Sequence, residues 1–157
     1  AEAAVDGETD IVRTNVTFTF GVGKIEETVS AELEGKELKV AMNSKYLLDA
    51  VKALEDKKGE EIRIIDISEV SVLADYFIIA NGSNRSQVQA LCDNVSEMLG
   101  RAGVHTKQVE GYESANWILL DFGDIIVHVF SKEDRLFYDL ERIWKDGKEL
   151  SEAELEK

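Results

Sequence analysis

The sequence predicts an α/β fold: a C-terminal sheet with covering helices, joined through one shared helix to an N-terminal antiparallel β-hairpin extension. Three observations predict it. IRIIDIS at Ile62 to Ser68 and YFIIANG at Tyr76 to Gly82 are near-continuous apolar runs, as expected of strands covered on both faces. Stripes at i, i+3, i+4 and i+7, such as Val88, Leu91, Cys92, Val95 and Leu99, mark the helices that would cover them. In WILLDFGDIIVHVF, Trp117 to Phe130, two apolar runs flank an Asp-Phe-Gly-Asp turn, the pattern of a hairpin.

Each element follows from its own residues. Residues 1 to 10 are small, acidic and without apolar period, which predicts a disordered leader. Over 11 to 58 the pattern predicts strands followed by the shared helix. Val16, Phe18 and Phe20 alternate with polar residues; Val29, Ala31 and Leu33, then Leu38, Val40 and Met42, alternate around a turn at Glu34-Gly35-Lys36. Ser44 is placed to cap a helix carrying Leu47, Ala50, Val51 and Leu54, with Gly59 as its stop. Ser83 or Ser86 opens the next helix, which Gly100 and Gly103 end. A short strand around Thr106 to Val109 precedes the hairpin. Ser131-x-x-Asp134 then starts a helix expected to bury Leu136, Phe137, Leu140, Ile143 and Trp144 before Gly147 stops it. The acidic tail, 148 to 157, reads as a charged helical turn or a fraying end.

Charge narrows the function classes. With 32 acidic against 18 basic residues, the net charge of -14 repels phosphates, so direct DNA binding and anionic membrane surfaces are disfavoured. A basic protein surface is the natural partner. The sole cysteine, Cys92, lies on an apolar helical stripe and reads as core; no disulfide framework is available. No run reaches the length of a membrane span, and a cytoplasmic protein is expected. The oligomeric state is not fixed, and a homodimer is compatible with the sequence. Proline is absent, so glycine is expected to supply most turns.

Catalytic motifs are sparse. Asp121-Phe122-Gly123 matches the kinase tripeptide, but no glycine-rich phosphate loop, strand lysine or catalytic loop accompanies it. Asp75, Asp121, Asp124 and His128 would make a metal site only by converging from separate strands. Strand alternation predicts instead that Trp117, Leu119 and Asp121 face one way and Ile118 and Leu120 the other, with His128 on the face of Ile126 and Phe130. No catalytic residue, metal or cofactor is expected. Tyr112, Trp117 and Phe122 flank Glu110, Glu113, Asp121 and Asp124, a set of large anchors with an acidic rim that suits docking onto a basic protein. Core packing and docking both accommodate Trp117.

Three ordered blocks, ALEDKKGEEIRIIDISEVSVLADYFIIANGSNRSQVQAL, VEGYESANWILLDFGDIIVHVF and FYDLERIW, resemble the ribosomal silencing factor family, also called Iojap-like proteins. The resemblance covers about 46 to 147, within a domain expected over 44 to 147. It implies a nucleotidyltransferase-like fold, a mixed sheet flanked by helices, without transferase activity. It further implies docking on a basic protein of the large ribosomal subunit at the intersubunit face, keeping the small subunit from joining. Family contact residues carry over to Trp117, Asp121, Phe122 and Gly123, and also to Glu110 and Leu120. Gln87 departs from the pattern, since family members often carry histidine there.

A second stretch, VGKIEETVSAELEGKELKVAMNSKYLLDAVKAL, resembles part of the bacterial DNA polymerase sliding clamp over about 22 to 56. The two resemblances overlap on one helix, which implies an engineered chimera. Two expectations follow: a retained block on subunit joining, or a scaffold made for its fold and without activity.

Overall fold

The computed structural model describes residues 3–5, 14–16 and 22–156, with side-chain environments from residue 34 onward. Two compact units are present, Ala1–Ser44 and Lys45–Lys157. In the first, β1 (Ala3–Val5) and β2 (Thr14–Val16) pair antiparallel. Phe18 and Phe20, expected to extend the second strand, lie outside the described residues, as do the remaining leader positions. Helix α1 then runs Val22–Asp56.

That helix overturns the hairpin expected between Val29 and Met42. Ile25, Val29 and Leu33 are spaced by four, and a spacing of four is also even, so one pattern satisfies both strand alternation and a helical stripe. Composition decides between them. Glu, Lys, Ala and Leu dominate the stretch, all strong helix formers, and a single Gly35 costs only about 1 kcal/mol in a helix interior. Ser44 is an interior residue of α1 rather than its cap. Without a hairpin there, the sliding-clamp resemblance loses the structural unit it was drawn on.

The second unit is built on six strands. After α1 come β3 (Glu60–Asp66), β4 (Tyr76–Gly82), α2 (Arg85–Arg101), β5 (Gln108–Glu110), β6 (Trp117–Asp121), β7 (Ile125–Ser131), α3 (Lys132–Tyr138), α4 (Leu140–Ile143), β8 (Lys148–Leu150) and α5 (Glu152–Leu155). Their order in the sheet is β5-β6-β7-β4-β3-β8; β4 and β7 are parallel and every other pair is antiparallel. This is the mixed sheet flanked by helices that the resemblance implied.

Alternation sends apolar side chains to both faces. Ile78, Ala80, Ile118, Leu120, Val127 and Val129 join one core with Leu47, Val51 and Leu54 of α1 and Val88, Leu91, Cys92, Val95 and Leu99 of α2. Ile65, Phe77, Ile79, Ile126 and Phe130 form the other, closed by Leu140 and in part by Trp144. The second face has the thinner cover. Two helices dress the first, whereas α3 and α4 are short.

Helix ends depart from expectation in instructive ways. Asn84, not a serine, caps α2: its side chain accepts from the Gln87 amide at 2.8 Å. Gln87 then stitches this corner together, accepting from the Ser83 amide and donating to the Lys57 and Lys58 carbonyls. The single helix expected from Ser131 to Trp144 breaks at Asp139, which adopts a left-handed conformation with φ 47°. Arg135, rather than its apolar neighbours, is the residue of α3 turned inward. Its guanidinium donates to Asn81 Oδ1 at 2.9 Å and lies 3.5 Å from Glu141 Oε1. Leu136 and Phe137 are consequently 81% and 80% exposed, and Ile143 is exposed too.

The tail is not a fraying end. Strand β8 pairs with β3, and α5 carries a capping box in which Ser151 and Glu154 each bond the other's backbone. Leu155 is buried in the first core.

Candidate functional site: the outer face of the hairpin sheet edge

The β6–β7 hairpin is set by its turn. Gly123 has φ +95°, a conformation that glycine adopts without strain, and a Cβ there would sit 3.0 Å from Lys107 Nζ. Asp121 Oδ1 accepts from the Gly123 amide at 2.8 Å, and the Phe122 amide donates to Ile125 O at 2.9 Å. Asp121 thus holds the turn with one carboxylate oxygen. Upstream, Gly111 has φ +77°, and any Cβ would fall 2.2 Å from the Trp117 carbonyl oxygen. Only glycine lets the chain pass so close to the start of β6.

Register then decides which predicted residues meet. Gln108 pairs with Asp121 and Glu110 with Leu119 across β5 and β6, so these four share one face with Trp117. Trp117, Leu119 and Asp121 are half-buried, and Glu110 is exposed. The face carries an indole, an aliphatic side chain and two carboxylates at the sheet's β5 edge.

Two expected contact residues are elsewhere. Leu120 is 1% exposed and Phe122 is 7% exposed, both inside the core that α1 and α2 cover. Alternation places Leu120 beside Ile118 on that covered face, and the turn tucks the Phe122 ring beneath it. The expectation that Phe122 projects outward as an anchor is therefore corrected: it and Leu120 support the site from behind. Tyr112 is also committed, packing on the same core with its hydroxyl donating to Asp93. Leu119 is the residue whose role went unassigned in the sequence, although the alternation had placed it beside Trp117 and Asp121.

The indole is held on several sides. Trp117 stacks on Phe130 with ring centroids 5.0 Å apart and tilts against Tyr138 at 4.7 Å. Its Nε1–H donates to His128 Nδ1 at 3.1 Å. His128 is 4% exposed, and burial pushes its pKa down to about 4, so the ring is neutral near pH 7. With Nδ1 accepting, the proton belongs on Nε2.

Nucleophilic chemistry has no support from Cys92. Burial, and secondarily Asp93, raise its thiol well above the ordinary range, so the thiolate is disfavoured at neutral pH. Among the described residues no helix is long and apolar enough to cross a membrane.

The family model for ribosomal silencing factor during starvation matches residues 41–157. Ribosomal silencing factor RsfS of Bacillus subtilis is 41% identical over 107 residues, which is 68% of this chain and 91% of the relative. The chloroplastic protein Iojap of Zea mays is 28% identical over 130 residues, 82% of this chain and 53% of the relative. A crystal structure of a Chromobacterium violaceum protein superposes with a TM-score of 0.63 at 39% identity, covering 68% of this chain and 88% of that one. The maize alignment is longer than the family model's span and so reaches into residues that had suggested a clamp. Neither it nor α1 supports a chimera. With the family model spanning the whole six-stranded sheet, this chain belongs to the ribosomal silencing factor family, the group that includes RsfS and Iojap.

Proposed function

We propose that this protein represses translation by docking on the large ribosomal subunit at its intersubunit face and sterically blocking subunit joining. The partner is a basic protein surface, and the contact face is Trp117, Leu119, Asp121 and Glu110. What carries the reading is the half-exposed indole beside two carboxylates on one sheet face, in a chain whose net charge is -14. The indole offers a large apolar anchor at little entropic cost, because Phe130 and Tyr138 already restrict it. Glu110 and Asp121 supply the negative rim that steers and orients a cationic partner.

Leu120, Phe122 and Gly123 serve this face by shaping it. The role is that of a binder, with steric exclusion as its mechanism. Light scattering of mixed large and small subunits tests the proposal: preincubating large subunits with this protein should suppress association in a dose-dependent way. Undiminished joining at saturating protein would refute it.

A further inference from the structure

Among the described residues His128 makes one side-chain hydrogen bond, accepted from the Trp117 indole. By register it sits between Ile79 of β4 and Leu119 of β6, and on its own strand Ile126 and Phe130 share its face. The Phe77 ring meets it edge-on at 4.6 Å. Among the described residues its Nε2 has no partner, and Nδ1 accepts from Trp117 alone. A buried imidazole surrounded by hydrocarbon is an expensive choice of core residue unless its one hydrogen bond matters.

We propose that His128 is a positioning residue, which locks the Trp117 indole in its docking orientation and satisfies its N–H from within the protein. This inference rests on the docking reading given above. Two physical consequences favour it. An indole already fixed loses less side-chain freedom when a partner closes over it. And because Nε1–H is paired internally, the partner can desolvate the ring without supplying an acceptor, so the surface it presents to Trp117 is apolar, with its cationic groups displaced toward Glu110 and Asp121. His128 never touches the partner; it acts through Trp117.

Three variants test this: His128→Phe, which keeps a ring and removes the acceptor; His128→Asn, whose Oδ1 lies close to where Nδ1 was; and Trp117→Phe, which removes the donor. The readouts are the indole ¹H–¹⁵N resonance of Trp117, assigned by its loss in Trp117→Phe, and affinity for purified large ribosomal subunits. His128→Phe should move that resonance upfield and weaken binding about three- to tenfold, the worth of one hydrogen bond. His128→Asn should recover most of both, and His128→Phe should add nothing in a Trp117→Phe background. A folded His128→Phe with wild-type affinity, or one that weakens binding equally without the indole, overturns the inference and leaves docking standing. If the unaltered protein fails to bind large subunits, docking itself falls and the inference with it. Should His128→Phe not fold, the parent protein decides: a Trp117 indole N–H shifted downfield and slow to exchange with solvent supports the inference, and one that exchanges freely with water overturns it.

Discussion

Phe122 in the β6–β7 turn and Glu110 on β5 belong to different problems. Phe122 is a core residue, so Phe122→Ala should destabilise the fold by about 3 kcal/mol, the usual cost of emptying a buried aromatic site. Glu110 is exposed, and Glu110→Ala should leave stability within about 0.5 kcal/mol of the parent while slowing association with a basic partner. Urea denaturation of both variants checks the contrast; equal stabilities would mean the Phe122 ring is not packed as described. His128 gives a residue-level pH signature. Its pKa is near 4 in the fold and about 6.5 in the unfolded chain, so between those values the unfolded state binds a proton the folded state does not. Stability should therefore fall as pH drops from about 6.5 toward 4, by about 3 kcal/mol from this group alone. His128→Asn should show a shallower slope between pH 5 and 6.5, and an unchanged slope would contradict a buried neutral imidazole.

At the level of elements, the C-terminal tail carries the most direct prediction. Strand β8 extends the sheet beside β3, and Leu155 enters the first core, so residues 148–155 are part of the fold. Ending the chain at Gly147 should lower the melting temperature by several degrees, consistent with loss of about 2 kcal/mol of burial by Leu155 plus an edge strand; an unchanged melting temperature would return the tail to a solvated appendage. How legible such elements were depended on how their signals were written. Strands β4, β6 and β7 were plain because apolar runs bounded by glycine and aspartate permit little else. The tail was opaque because KELSEAELEK has only two apolar leucines, and pairing with β3 is a long-range event that no local pattern announces. The hairpin expected over Val29 to Met42 proved to be the first part of α1 for the opposite reason, since its local pattern fitted two periods, whereas the helical stripe of Leu47, Ala50, Val51 and Leu54 was plain. The break at Asp139 was hidden because a buried Arg135, held by Asn81, took the inward position that Leu136 or Phe137 would have been expected to fill.

For the whole molecule, the candidate site was half legible. Alternation placed Trp117, Leu119 and Asp121 together with Leu120 opposite; the register of β5 against β6 brings Glu110 onto the first face, and the core under α1 and α2 takes Leu120 and Phe122 from the surface. What results is one acidic chain with a thinly covered sheet face, opposite a face sealed by α1 and α2. Long-range attraction to a cationic surface and short-range anchoring by an indole then act at the same edge, and the first should weaken with added salt while the second should not. Co-sedimentation of the full chain with purified large ribosomal subunits, comparing the parent with Trp117→Ala at two salt concentrations, tests this most directly. The parent should bind, and Trp117→Ala, still folded, should bind about 30-fold more weakly, the effect of a hot-spot residue worth roughly 2 kcal/mol. A parent that does not sediment with the subunit, or a folded Trp117→Ala that binds as tightly, would contradict docking through this face.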